Sequence, residues 1–152
     1  MKIAFIGGGN MAAALIGGMK RAGLAHSIAV LEIDATRRKQ LEDQYGVTAH
    51  GAAGPWLSEC ATVVLAVKPQ QMRDAVDAIR PFLARPLVLS IAAGVRASTL
   101  ARWLASDIIV RTMPNTPALI GAGVTGAAAL AGVSEPASKS DKKDSSGAHK
   151  AV

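Results

Sequence analysis

Three consecutive glycines, Gly7–Gly9, separate two different apolar patterns near the start of the chain, and they constrain its fold more than any other feature. Before them, Ile3–Ile6 is a short apolar run that predicts one buried parallel strand. After them, from Asn10 onward, apolar residues recur at helical spacing. The beginning of the chain therefore predicts a strand, a glycine turn and a helix.

The turn contains the pattern Gly7-x-Gly9-x-x-Ala12, which is one form of the dinucleotide-binding fingerprint. Gly7 allows a tight turn, Gly9 lets a pyrophosphate approach the backbone, and Ala12 lets the helix pack closely on the strand. The unpaired N–H groups at the start of a helix attract phosphate. A glycine turn that binds nothing is the alternative, but the strand before it and the helix after it favour a dinucleotide site.

The remaining chain alternates between apolar runs and helical patterns, which predicts an α/β fold. Further strands are predicted at Ile28–Leu31, Val47–Ala49, Thr62–Val67, Pro86–Ile91 and Ile108–Met113, with a last one from Val124. Helices are predicted after the Asp34 cap to Tyr45, closed by Gly46, then over Pro69–Pro81 and Ser98–Leu104. We expect a Rossmann-type, doubly wound and mainly parallel sheet with helices on both faces.

The length of 152 residues favours a single domain. Residues 1–133 carry the strand and helix signals, whereas residues 134–152 are polar and are expected to be a disordered tail. The net charge of +6 is spread through the body without a basic, aromatic-rich run, so we expect no nucleic-acid partner but an anionic cofactor and substrate. A single cysteine, Cys60, and no membrane-spanning run predict a cytoplasmic protein without disulfides.

An acidic residue, Glu32, follows the second predicted strand, where dinucleotide folds place the carboxylate that binds the adenosine ribose. Its charge favours NADH, because it would repel the 2′-phosphate of NADPH. Arg37 and Arg38 follow closely and offset that repulsion if they face the phosphate. Solvated helix arginines and an ordinary strand end are the alternative interpretation, so the choice between NADPH and NADH stays open.

Other polar and small residues follow the later strands, at the edge where open α/β sheets bind ligands. Lys68 precedes Pro69, Ala92 and Ala93 follow the strand that ends near Ile91, and Asn115 lies in a proline-flanked turn. A lysine extending over the sheet edge and a simple tight turn are the alternatives. The three histidines stand apart, so we predict no metal site.

Four segments together resemble pyrroline-5-carboxylate reductases in order and spacing. They are IAFIGGGNMAAALIGGM at residues 3–19, AVKPQ at 66–70, SIAAG at 90–94 and RTMPNTP at 111–117. The resemblance covers roughly residues 1–134. It implies reduction of 1-pyrroline-5-carboxylate to L-proline with NADPH or NADH, the last step of proline biosynthesis.

By position, the resemblance also implies the cofactor contacts. The pyrophosphate would lie on Ile6, Gly7, Gly8, Gly9, Asn10 and Met11, the ribose at Glu32, and the cofactor beyond the sheet edge on Ala66, Val67, Lys68 and Pro69, with Ile91, Ala92, Ala93 and Asn115 toward the nicotinamide. Hydride transfer to a protonated imine depends on the cofactor and on positioning, so no general acid or base is assigned in this chain.

Members of that family continue into a helical domain that forms the homo-oligomer and holds most of the substrate site, and this sequence shows no counterpart of it. We therefore expect the chain to bind a dinucleotide and to reduce pyrroline-5-carboxylate negligibly. A non-catalytic dinucleotide-binding module is the alternative function. A dehydrogenase of the β-hydroxyacid type is a third, which the AVKPQ and PNTP segments disfavour.

Overall fold

The computed structural model describes residues 2–23, 27–113 and 125–129, with Met113 and residues 125–129 as backbone only. The strands are β1 Lys2–Ile6, β2 Ser27–Leu31, β3 Thr48–His50, β4 Thr62–Leu65, β5 Leu87–Ser90, β6 Ile109–Met113 and β7 Thr125–Ala129. The α-helices are α1 Asn10–Arg21, α2 Ala35–Tyr45, α3 Met72–Ile79 and α4 Ala97–Leu104. Short 3₁₀ helices cover Pro55–Glu59, Pro69–Gln71 and Arg80–Phe82.

The seven strands form one sheet in the order β3-β2-β1-β4-β5-β6-β7. Neighbouring strands from β3 to β6 are parallel, and β7 is antiparallel to β6. The chain proceeds outward from β1 to β3 and then returns to the other side of β1 with β4, so its direction of travel reverses between β1 and β4. The predicted doubly wound, mainly parallel sheet is confirmed, with an antiparallel strand at one edge.

Helices cover both faces of the sheet because alternate residues of each strand point to opposite sides. In β1, Ile3 and Phe5 pack in one cluster with Ile16 of α1 and Leu41 of α2. Their neighbours in the strand, Ala4 and Ile6, belong to a second cluster. Its other large members include Leu57, Leu65, Met72, Ile79, Leu100 and Ile109. The continuous apolar runs of the central strands are thus explained by burial on both faces.

Local signals located α2 correctly. The Asp34 carboxylate accepts hydrogen bonds from the backbone N–H groups of Thr36 and Arg37, as expected for a helix N-cap. Gly46 ends the helix at φ +66°, which is the left-handed conformation that glycine adopts without strain. The sequence therefore predicted both ends of this helix.

Some predicted strands are longer than the observed ones. The strand predicted at Thr62–Val67 ends at Leu65, because β1 ends at Ile6 and only the N–H of Ala66 still reaches the Ile6 carbonyl, at 2.8 Å. The strand predicted at Pro86–Ile91 is Leu87–Ser90. The others differ by a residue or two, which is the ordinary uncertainty of an element boundary.

Some of the predicted features lie in parts of the chain that the structure does not describe. The polar tail and the turn at 114–117 lie outside the described residues, as do His26 and His149.

Trp56 is a packing residue, since its ring stacks on that of His50 with centroids 4.0 Å apart. Among the helices in the described part of the chain, none is both long enough and apolar enough to cross a membrane.

Candidate cofactor-binding site

The predicted glycine turn lies at the carboxyl end of β1, where the order of the strands reverses. Ligands of open α/β sheets bind in the crevice at this position. The N–H of Gly7 donates to the Leu31 carbonyl of β2 at 2.8 Å, and the Ala66 N–H donates to Ile6 on the other side. The turn is therefore bonded to the ends of β2 and β4 at once.

Gly7 is a glycine because the fold requires one. Its φ of +99° is a conformation that other L residues rarely adopt. A Cβ at this position would also lie 2.9 Å from the Ala66 carbonyl oxygen and 2.9 Å from a methyl group of Val67. The turn consequently packs against the segment after β4 with no room for a side chain.

Gly8 is buried and both of its backbone polar groups are bound by side chains. Its N–H donates to the Glu32 carboxylate at 3.2 Å, and its carbonyl accepts from Nε of Arg37 at 2.6 Å. A Cβ here would lie 2.7 Å from a methyl group of Leu41 in α2. The middle of the turn is thus bonded to the β2–α2 connection and packed on α2.

Gly9 differs from the other two glycines because no contact with the described residues requires it. It precedes α1 with φ −74° and ψ −168°, an extended conformation open to any residue, and a Cβ there would meet no atom of the described residues within 4 Å. Asn10 and Met11, which follow it, are exposed. Among the described residues no side chain caps α1, and no acidic residue lies in its first turn, so the first N–H groups and the positive dipole end of the helix have no side-chain partner there.

Glu32 lies directly after β2, as predicted, and its carboxylate is oriented by the backbone. One oxygen accepts from Gly8 and the other from the N–H of Asp34 at 3.0 Å. Each carboxylate oxygen can accept more than one hydrogen bond, so this arrangement leaves acceptor capacity for ribose hydroxyls. Ile33, the next residue, is 82% exposed.

Neither arginine of the first turn of α2 is a freely solvated helix residue. Both are half-buried. Arg38 donates through Nη1 to the carbonyls of Glu32 at 2.8 Å and Ile33 at 3.0 Å, while Arg37 binds the Gly8 carbonyl. The structure therefore separates two residues that looked equivalent in the sequence, because Arg38 bonds the backbone of Glu32 and Ile33 whereas Arg37 bonds the glycine turn.

The segments after β4 and β5 meet at the same edge of the sheet. The Ile91 N–H donates to the Leu65 carbonyl at 3.2 Å, which joins the two connections. Ala66 and Val67 are half-buried, whereas Lys68 and Pro69 are exposed, with Pro69 opening the 3₁₀ helix that leads to α3. Ile91 is half-buried, Ala92 is buried and Ala93 is exposed. Asn115 lies outside the described residues.

Two features of this edge were absent from the sequence interpretation. One is the bond from Arg37 to Gly8, which joins residues 29 positions apart and has no local sequence signal. The other is the exposure of Ile33, an apolar residue among polar ones directly after a strand. The second had a signal, because a large apolar side chain at a predicted ligand-binding edge indicates a contact surface.

A family model described as "NADP oxidoreductase coenzyme F420-dependent" matches residues 2–94. The pyrroline-5-carboxylate reductase of Pseudomonas aeruginosa is 40% identical over 136 residues, which is 88% of this chain and 50% of that protein. The solved structure of a pyrroline-5-carboxylate reductase from Coxiella burnetii superposes with a TM-score of 0.82 at 30% identity, covering 94% of this chain and 54% of the other.

A third comparison concerns the fold alone. The Plasmodium falciparum pyrroline carboxylate reductase, solved with NADP bound, superposes with a TM-score of 0.76 at 24% identity, covering 95% of this chain and 54% of the other. The chain spans about half the length of the curated relatives that it matches. These similarities confirm the resemblance carried by the sequence motifs, for the part of those proteins that the chain spans.

Proposed function

Because this chain belongs to the family of NADP oxidoreductases described as coenzyme F420-dependent, we propose that it binds NADPH or NADH as the cofactor-binding part of a pyrroline-5-carboxylate reductase. We assign this function to residues 1–133 and none to residues 134–152. The substrate would be 1-pyrroline-5-carboxylate, by similarity to reductases that carry this name.

The open space at Gly9 is the observation that carries the proposal. The fold itself requires Gly7 and crowds Gly8, yet it would accept a side chain at Gly9. A glycine at a position where the protein has room is explained by a ligand that occupies the room. The free N–H groups of α1 bind anions, so the group expected there is the pyrophosphate of the cofactor.

The adenosine end and the nicotinamide end of the cofactor are proposed to bind different parts of the protein. The Glu32 carboxylate is placed to accept from the ribose hydroxyls, and the exposed Ile33 side chain provides an apolar surface beside it for the adenine ring. The connections after β4 and β5 lie toward the nicotinamide, where we place Ala66–Pro69, Ile91–Ala93 and Asn115. When bound, the cofactor supplies the hydride, and the residues of this chain position it and exclude water.

Cofactor preference is proposed to depend on Glu32 and Arg38. The Glu32 carboxylate favours NADH by repelling a 2′-phosphate, and Arg38, bonded to the carbonyls of Glu32 and Ile33, is the cation that we place beside such a phosphate. Glu32→Ser is expected to shift the preference toward NADPH. Glu32→Gln, which keeps an acceptor oxygen without the charge, separates repulsion from loss of the hydrogen bonds. An unchanged ratio of the two dissociation constants in both variants would show that Glu32 does not discriminate.

Two assays on the 152-residue chain test the proposal in separate steps. Titration with NADH and NADPH, followed by nicotinamide fluorescence, measures cofactor binding, and no binding of either up to about 1 mM would contradict the proposal. Oxidation of the cofactor that depends on pyrroline-5-carboxylate measures reduction, with a substrate-free control. Binding without such oxidation favours the non-catalytic dinucleotide-binding module, whereas turnover places the substrate site within these residues.

A further inference from the structure

We infer that Arg37 is a positioning residue that holds the phosphate-binding turn, and that it is not a ligand of the 2′-phosphate of NADPH. This inference rests on the proposed function. It assigns to Arg37 an effect on every dinucleotide that binds over Gly7–Met11, whichever ribose the cofactor carries.

Two side-chain hydrogen bonds hold the backbone of Gly8 in place. Nε of Arg37 donates to the Gly8 carbonyl at 2.6 Å, a short bond with a charged donor. The Gly8 N–H donates to the Glu32 carboxylate at 3.2 Å. Gly8 is buried, so both polar groups of its backbone need partners, and two side chains of opposite charge supply them. Removing Arg37 would leave a buried carbonyl without its partner.

A second nitrogen of the Arg37 guanidinium also bonds within the protein. This nitrogen, Nη1, donates to the amide oxygen of Gln40 at 3.3 Å, on the same helix. Arg38, in contrast, donates to the carbonyls of Glu32 and Ile33, beside the ribose position. A 2′-phosphate would extend from that ribose. The two neighbouring arginines therefore have different roles in this proposal. Arg37 holds the glycine turn, and Arg38 lies beside the proposed ribose site.

The position of Gly8 explains how Arg37 affects a ligand that it does not recognise. Gly8 directly precedes Gly9, whose carbonyl accepts the first hydrogen bond of α1 from Ala13 at 2.9 Å. Fixing Gly8 from both sides therefore fixes the direction of the free N–H groups that follow. A turn already held in its binding conformation loses less conformational freedom when the pyrophosphate binds, which raises affinity.

Three variants of consecutive residues in α2 test the inference: Arg37→Met, Arg38→Met and Lys39→Met. Each removes one positive charge, and Lys39, 78% exposed and paired with Asp43, serves as the control for net charge. Arg37→Met is expected to weaken the binding of NADH and of NADPH by the same factor. That factor is roughly tenfold, which corresponds to the loss of one charged hydrogen bond. Arg38→Met is expected to weaken the binding of NADPH more than that of NADH, because Arg38 also bonds the backbone at Glu32, and Lys39→Met is expected to weaken the binding of neither.

A conservative variant and a spectroscopic signal distinguish positioning from general stability. Arg37→Lys keeps the charge and an N–H donor, so it is expected to recover part of the affinity for both cofactors. In the ¹H–¹⁵N spectrum of the free protein, the Gly9 amide is expected to move in Arg37→Met and to stay in Lys39→Met, because Gly8 contributes the carbonyl of that peptide bond. The urea midpoint of each variant reports whether it is folded.

Other results of these measurements would contradict the inference or the proposed function. A loss confined to NADPH in Arg37→Met would make Arg37 a 2′-phosphate ligand and would overturn the inference. Unchanged affinity for both cofactors, with or without a shifted Gly9 amide, would overturn it as well. If Arg37→Met is unfolded, the comparison of NADH and NADPH in Arg37→Lys decides between equal and selective loss. Failure of the unmodified chain to bind either cofactor would instead contradict the proposed function.

Discussion

Substitution of Gly9 by valine separates what the fold needs from what the ligand needs. Gly9 has φ −74°, and no atom of the residues that the structure describes lies within 4 Å of a Cβ built there. Two small effects on stability oppose each other, since a side chain restricts the unfolded chain but is a poorer helix N-cap than glycine. For Gly9→Ala and Gly9→Val we therefore expect the free energy of unfolding to change by less than about 1 kcal/mol.

Cofactor binding is expected to respond much more strongly. The added methyl groups occupy the space through which the pyrophosphate approaches the start of α1 and hold it away from the N–H donors. A hydrogen bond to a charged group contributes about 1.5–3 kcal/mol. Losing one such bond weakens binding roughly tenfold to 150-fold. Gly9→Ala adds a single methyl group, so its dissociation constants for the cofactors are expected to lie between those of the valine variant and those of the unmodified chain.

The assay is a titration with NADH and NADPH, paired with urea unfolding of each variant. Gly7→Ala is the contrasting control, because the positive φ and the contact of 2.9 Å with the Ala66 carbonyl oppose its folding. We expect that control to lose about 2 kcal/mol or more of stability. A folded Gly9→Val variant that binds both cofactors with unchanged dissociation constants would refute the placement of the pyrophosphate over Gly9.

Three further predictions concern stability and reactivity. Asp34→Ala removes the acceptor for two N–H groups at the start of α2 and is expected to cost about 1 kcal/mol in urea unfolding. Burial, followed by the charge of Lys2, lowers the pKa of His50 below the usual 6.5. Once the pH falls to about 6.5, the unfolded chain binds a proton at His50 that the folded chain does not yet bind, which favours unfolding. The contribution of His50 to stability is therefore expected to be fully present above about pH 7 and to decline below it, so stability falls less steeply in His50→Gln than in the unmodified chain; equal slopes would contradict this. Burial also raises the pKa of the Cys60 thiol, so Ellman's reagent is expected to react slowly in buffer and rapidly in denaturant, and fast reaction of the native chain would show that this thiol is accessible.

Features set by neighbouring residues could be predicted from the sequence. The glycine turn, the start of α1, the Asp34 cap and the left-handed Gly46 all appear where their residue types indicated. Each depends on backbone conformation and on hydrogen bonds within a few residues, so the necessary information lies in one short stretch. The same holds for the central strands, whose continuous apolar runs indicated burial on both faces.

Exact strand ends could not be predicted in this way, because a strand ends where its neighbour ends. Val67 is apolar and β-branched like Val63 and Val64, yet it lies outside β4 because β1 has already turned away at Gly7. The stacking of Trp56 on His50 likewise depends on the position of β3 next to the following 3₁₀ helix. Both outcomes result from the packing of separate elements.

The candidate site shows the same division most clearly. By itself, the sequence determined that a glycine turn joins a strand to a helix, that a carboxylate follows the next strand, and that two arginines lie close behind. Only the tertiary structure decided that Arg37 binds Gly8 and Arg38 binds the carbonyls of Glu32 and Ile33, because neighbouring residues on a helix point about 100° apart and meet different partners. It also decided which glycines are enclosed by other residues and which one has space around it, since that depends on atoms of α2 and of the segment after β4 that lie far away along the chain.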